Sequence, residues 1–158
     1  MSELPKILFV DDDPEVLGGL RKALRKHQGR WNMVFALGGP DGLRELLGTT
    51  FDVVVSDMRM PVCDGAELLA QVCERDPMTI RMILSGFSDA EAVSRSPPIH
   101  QFLEKPCGLN ELAGTIERAC RIRSLFVSTA LLDAIARMPD LPSVPRAYRA
   151  LQALVQAS

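Results

Sequence analysis

The 158-residue sequence has no apolar run long enough to cross a bilayer. Its N-terminus, MSELPKILFV, runs straight into three aspartates, and that apolar run is too short for a secretory signal. Cys63, Cys73, Cys107 and Cys120 form neither a CxxC pair nor a metal-ligand spacing, which points to reduced thiols in a cytoplasmic protein. No single sign of charge dominates: the net charge of −2 argues against a general binder of nucleic acid or membrane surfaces. No helix-turn-helix or basic helix is visible. Neither GxGxxG nor GK[ST] occurs, so Gly38, Gly39 and Pro40 read as a turn rather than a nucleotide loop. What is left is the composition of a globular protein, 47% hydrophobic and 24% charged, long enough for one domain with an appendage or one larger domain.

Short apolar runs alternate with helical stripes. Lys6–Val10, Trp31–Leu37, Phe51–Asp57, Thr79–Leu84 and Ile99–Leu103 read as five strands. Asp13 and Pro14 open a first helix carrying Val16, Leu17, Leu20, Leu24 and His27 on one face, stopped by Gly29. The turn at 38–42 leads to a short second helix ending near Leu47, and Asp64–Cys73 is a third. Residues 87–98 offer about two turns of a stunted fourth helix before Pro97 and Pro98 forbid more. A fifth runs from Leu109 towards Phe126 on Leu112, Ala113, Ile116 and Cys120. Strand–helix alternation with nearly all-apolar strands predicts a doubly wound parallel sheet covered on both faces.

In such folds, ligands bind beyond the carboxyl ends of the strands. Here strand one ends in Asp11 and Asp12, strand three in Asp57, strand four in Ser85, and strand five runs into Lys105. A solvated loop residue explains any one of these, but poorly explains four strand ends at once. Three neighbouring carboxylates do not all stay ionised without a cation, and Mg²⁺ suits one or two carboxylates with phosphate oxygens and waters. An Asp carboxylate can attack phosphorus. Asp57 as nucleophile, Asp11 and Asp12 as metal holders, Ser85 as hydroxyl donor and Lys105 as counter-charge make a complete set for phosphoryl transfer.

ILFVDDDP at 7–14, DVVVSDMRMPVCDG at 52–65, ILSG at 83–86 and FLEKP at 102–106 together resemble the receiver domain of two-component response regulators. The resemblance covers roughly residues 5–126, so residues 1–126 are expected to form the receiver domain. It implies a flavodoxin-like (βα)5 fold of strand order 2-1-3-4-5. It implies phosphorylation of Asp57 by a histidine kinase or phosphotransfer protein. Mg²⁺ would be held by Asp12, Asp57 and the main-chain carbonyl of Arg59, with Asp11 acting through water. It further implies a switch in which Ser85 turns to the phosphoryl group and Phe102 swings inward, and a cis Lys105–Pro106 bond. The shortened segment before Lys105 departs from the pattern and weighs against dimerisation through the fourth helix, fifth strand and fifth helix. Arg59 places a bulky cation two residues after Asp57, where it would obstruct water and prolong the phosphoryl group's life.

Residues 127–158 differ. Ser128–Met138 reads as a helix, Asp140–Pro145 as a linker, and Val144, Tyr148, Leu151, Leu154 and Val155 as one face of a last helix, whose lack of a partner hints at a homodimer. Some 30 residues cannot enclose a core. MPDLPSVPRAYRALQALVQ at 138–156 resembles the opening of an HDOD output domain, implying a truncated receiver–HDOD regulator. Two rival functions follow from the same residues. A haloacid-dehalogenase-type phosphatase would use Asp11 and Asp13, but Glu15 is ill-suited and Asp57 would have no role. A pseudo-receiver that never takes phosphate usually lacks an acid or the lysine, and all are present here. His27 and His100 read as surface or half-buried residues, Trp31 as packed at a sheet edge, and Cys63 as an inert thiol.

Overall fold

The computed structural model describes residues 3–86, 99–125 and 137. The chain runs β1 (Lys6–Asp11), α1 (Pro14–Ala23), β2 (Asn32–Leu37), α2 (Gly39–Gly48), β3 (Val53–Asp57), α3 (Gly65–Arg75), β4 (Ile80–Ser85), β5 (Gln101–Glu104) and α4 (Leu109–Leu125). The helix expected fifth in the chain is thus numbered α4 among those described. All strands are parallel, in the order β2-β1-β3-β4-β5. This is the flavodoxin-like arrangement, with strand order reversing between β1 and β3.

Successive strand residues point to opposite faces, and the core divides accordingly. Ile7, Phe9, Val53 and Val55 pack with Leu17 of α1 and Leu112 and Ile116 of α4. Their neighbours Leu8, Val10, Val54 and Ile83 pack with Leu68, Leu69 and Val72 of α3. Because both faces are covered, the strands are apolar without alternation.

The structure corrects several expectations. Gly38 to Gly42 is not a turn: α2 begins at Gly39. Pro40 fits a first helical turn, whose N–H groups lack intrahelical partners. The glycines serve close approach, since a Cβ on Gly39 would lie 2.3 Å from the Cys63 carbonyl oxygen. The first helix ends at Ala23 rather than near Gly29, and a single 3-10 turn, Arg25–His27, follows it. That turn carries His27 into the interior, 8% exposed and stacked on Trp31 at 4.4 Å, just before edge strand β2. His100 is also buried, at 1% exposed; its Nδ1 accepts the Arg81 main-chain N–H at 3.0 Å. Arg81, inside the apolar run of β4, is fully buried. The stunted helix expected at 87–98 and the tail helices of 127–158 lie outside the described residues.

Candidate functional site

Strand register decides where the polar strand ends meet. Asp11 stands opposite Leu37, Ser56 opposite Val10, Asp57 opposite Leu84, and Ser85 opposite Glu104. In a parallel sheet this puts the ends of β1, β3 and β4, and the residue after β5, on one rim.

Asp11 is 4% exposed, and its Oδ1 accepts the Asp13 N–H at 2.9 Å. That bond turns the chain out of β1, and Asp13 in turn caps α1 by accepting from the Glu15 N–H at 2.8 Å. Asp12, between them, is exposed. Asp57 ends β3 with its side chain 13% exposed. One carboxylate oxygen each from Asp11, Asp12 and Asp57 lie within 4.8 Å of one another. Lys105 Nζ reaches across from β5, donating to Asp57 Oδ1 at 2.9 Å and Asp11 Oδ2 at 3.0 Å. Its main-chain N–H donates to the Ser85 carbonyl at 2.7 Å, so pairing of β4 with β5 aims the lysine. The Lys105–Pro106 bond is cis.

Three carboxylates against one ammonium leave the rim with excess negative charge. Burial pushes the Asp57 carboxyl above the usual aspartate range; the Lys105 hydrogen bond and charge oppose this, and the charges of Asp11 and Asp12 add to it. For Lys105, burial works against the ammonium, yet the hydrogen bonds and charges of Asp57 and Asp11 outweigh it and hold the amine above its usual range. A hard divalent cation among the three acids would relieve this crowding, and the all-oxygen donor set suits Mg²⁺. The donor set therefore fits the metal.

Ser85 is buried at the end of β4, and Phe102 is half-buried in β5 against the α3-side layer. Arg59 is exposed. The Cys63 thiol is buried and pushed up by burial and then by the charges of Glu67 and Asp64, which makes it a poor nucleophile.

Sequence reasoning missed the parts that clamp Asp57 from the α3 side. The Gly65 N–H donates to the Met58 carbonyl at 2.8 Å, and a Cβ at Gly65 would lie 2.2 Å from the Asp57 carbonyl oxygen. Only glycine allows α3 to start so close to the end of β3. Asp64 and Glu67 form a reciprocal capping box, with the Glu67 N–H on Asp64 Oδ1 at 2.9 Å and the Asp64 N–H on Glu67 Oε2 at 3.1 Å. The signal was legible as D-x-x-E ahead of an apolar stripe.

Known proteins are similar to this chain in sequence and fold. The family model described as the response regulator receiver domain matches residues 7–117. The DNA-binding transcriptional regulator NtrC of Escherichia coli K12 is 35% identical over 149 aligned residues, covering 89% of this chain and 31% of that protein. The chain therefore spans about a third of the length of this curated relative. The crystal structure of the signal receiver domain of an HD domain-containing protein from Pseudomonas fluorescens Pf-5 superposes with a TM-score of 0.73 at 27% identity, covering 78% of this chain and all of that one. The BeF3-activated DrrB receiver domain superposes with a TM-score of 0.67 at 27% identity, covering 75% of this chain and 99% of that one. With the acids of β1 and β3 gathered under a lysine from β5 in a pocket that fits a phosphoacceptor, the chain belongs to the response regulator receiver domain family.

Proposed function

We propose that the chain is the phosphoacceptor switch of a two-component system, in which Asp57 takes a phosphoryl group from a histidine kinase or phosphotransfer protein. The observation that carries this reading is the joint bond of Lys105 to Asp57 and Asp11 beside an acidic cluster with charge to spare. An Asp57 carboxylate oxygen attacks phosphorus; the O–P bond forms as the P–N bond to the donor imidazole breaks, and the imidazole nitrogen leaves with the electron pair. Lys105 neutralises charge on the phosphoryl oxygens, and the Ser85 hydroxyl donates a hydrogen bond to one of them. Asp11, Asp12, Asp57 and the Arg59 carbonyl would hold Mg²⁺, whose charge would stabilise the same oxygens. Ser85 and Phe102 then shift together as the switch.

Incubation with acetyl phosphate and Mg²⁺, read by intact mass, tests this. The wild type gains one phosphoryl group, while Asp57→Asn gains none. Steady release of phosphate from a generic ester would instead support a phosphatase of the haloacid-dehalogenase type, and no uptake at all would support a pseudo-receiver. Arg59 slows hydrolysis by crowding the water's approach, so Arg59→Ala shortens the phosphoryl lifetime severalfold. Loss within seconds in the wild type contradicts that role.

We further propose residues 1–126 as the receiver and 127–158 as a linker entering an output domain of HDOD type, in a cytoplasmic protein. The resemblance of 138–156 supports this, as does the receiver from an HD domain-containing protein. NtrC, a DNA-binding regulator, is the precedent for an attached output domain.

A further inference from the structure

The sheet ends on two unlike edges. β5 is short, Gln101–Glu104, closes on a glutamate and runs into Lys105 and Pro106. Short length, charge and proline all discourage a further strand. β2, at the other edge, is six residues long, Asn32–Leu37, with neither a charge nor a proline. Among the described residues it pairs only with β1.

The hydrogen bonds show which groups of β2 face outward. The Asn32 and Gly38 N–H groups donate towards β1, to the Pro5 and Asp11 carbonyls at 2.8 and 2.9 Å. Peptide groups alternate sides along a strand, so Met33, Phe35 and Leu37 turn theirs to the open edge. The side chains of these three residues share the α1 face of the sheet. Met33 and Phe35 pack partly against the core there, and Leu37 is 49% exposed. A groove of about 750 Å³ opens beside them, lined by Lys6, Arg21, Trp31, Met33, Val34 and Phe35.

The helix above this edge is graded in charge. Asp12, Asp13 and Glu15 stand at the start of α1, and Arg21, Lys22, Arg25 and Lys26 stand at its end and in the turn after it, all exposed. Arg21 lies over the Phe35 ring at 4.9 Å, which sets that flank of α1 along β2. One turn earlier on the same flank is Gly18, where a Cβ would meet nothing within 4 Å. Glycine inside a helix costs stability against alanine, and packing within the chain does not call for one here.

We propose that a second copy of this chain pairs with β2 across a two-fold axis, joining the two sheets into one. The two β2 strands run antiparallel, with Phe35 opposite its own counterpart. Met33 then stands opposite Leu37 of the second copy, so each exposed Leu37 enters the other copy's groove. This register uses the outward N–H and C=O groups of all three residues on each strand. The same rotation lays the two α1 helices antiparallel, with the acidic start of each beside the basic end of the other. Strands stand about 4.8 Å apart and α1 packs on both β1 and β2, so the helix axes come roughly 10 Å apart, the spacing of packed helices. Such a surface selects a second copy, because opposite charges meet along its whole length only when the partner carries the same helix in reverse. The inference goes beyond the phosphoacceptor reading and stands whether or not Asp57 takes phosphate.

Sedimentation velocity of the full chain over a range of micromolar concentrations tests this. The wild type shifts from monomer to dimer as concentration rises. Leu37→Lys places a charge in the apolar ladder, and Gly18→Leu fills the room between the helices. Each weakens the dimer about tenfold or more and keeps the circular dichroism spectrum of the wild type. Amide hydrogen exchange locates the contact: the Met33, Phe35 and Leu37 N–H groups become protected as the dimer forms. A wild type that stays monomeric overturns the proposal. So does a dimer that both variants leave intact, or one that leaves these three amides unprotected, because its contact then lies away from β2.

Discussion

Two ends of the same sheet bury charge in opposite ways. Near the amino end of β4, the Arg81 guanidinium is fully buried and donates to the main-chain carbonyls of Pro77 and Thr79, each at 3.1 Å. Burial lowers its pKa, against the pull of Cys73 and Asp76. At the carboxyl rim, Asp11, Asp12 and Asp57 outnumber Lys105, and Asp57 is pushed up. Fixed carbonyls of the chain's own loop hold the arginine, and its contribution is to the fold. The rim is left with more acid than its lysine neutralises, and that surplus is what a cation and a phosphoryl group can use. Buried charge alone therefore does not mark a site; charge left in excess does.

The same substitution at the two lysine and arginine positions separates these roles most sharply. Lys105→Met cuts phosphoryl uptake from acetyl phosphate by about a hundredfold or more, because the charge opposite the phosphoryl oxygens is gone. Arg81→Met leaves uptake at the wild-type level and costs about 2 kcal/mol, since the Pro77 and Thr79 carbonyls lose their donor while most of the volume stays filled. Arg81→Ala costs about 3 kcal/mol or more in urea unfolding, from the cavity and the unpaired carbonyls. Similar uptake by Lys105→Met and Arg81→Met would erase the distinction.

A smaller loss, about 2 kcal/mol or more, is expected for Gly65→Ala, whose Cβ would meet the Asp57 carbonyl at 2.2 Å. Because the atom it strikes is the main chain of Asp57, phosphoryl uptake is expected to slow as well. Glu67→Ala opens the capping box and costs about 1 kcal/mol without changing uptake.

The pH dependence should also distinguish the regions. A carboxyl raised in the folded state favours folding while protonated, and that advantage is lost as pH rises from the ordinary value of 3.8 through the raised one. In Mg²⁺-free buffer, the stability of the wild type relative to Asp57→Asn therefore falls across that interval, and Mg²⁺ restores it. Urea midpoints at a series of pH values measure the difference.

Much of this was legible because the relevant signals are local. Val53, Val54 and Val55 followed by Ser56 and Asp57 announce a buried strand with an acid at its end, and register in a parallel sheet does the rest. What was misread depended on contacts between distant segments. Gly38, Gly39 and Pro40 carry the letters of a turn, but Gly39 is required by Cys63, which lies 24 positions further on. Arg81 went unremarked inside an apolar run; its guanidinium meets the His100 imidazole, 19 positions on, as well as the Pro77 and Thr79 carbonyls just before β4. His100 is buried because its imidazole extends the pairing of β4 with β5, a role that spacing cannot express.

The most direct test of surplus charge at the rim is the carboxyl titration of Asp57 by carbon NMR, with and without Mg²⁺. Without Mg²⁺, Asp57 should titrate above the ordinary 3.8, and saturating Mg²⁺ should drive it down while leaving carboxyls outside the pocket unmoved. An Asp57 that titrates at an ordinary value and ignores Mg²⁺ would contradict the account.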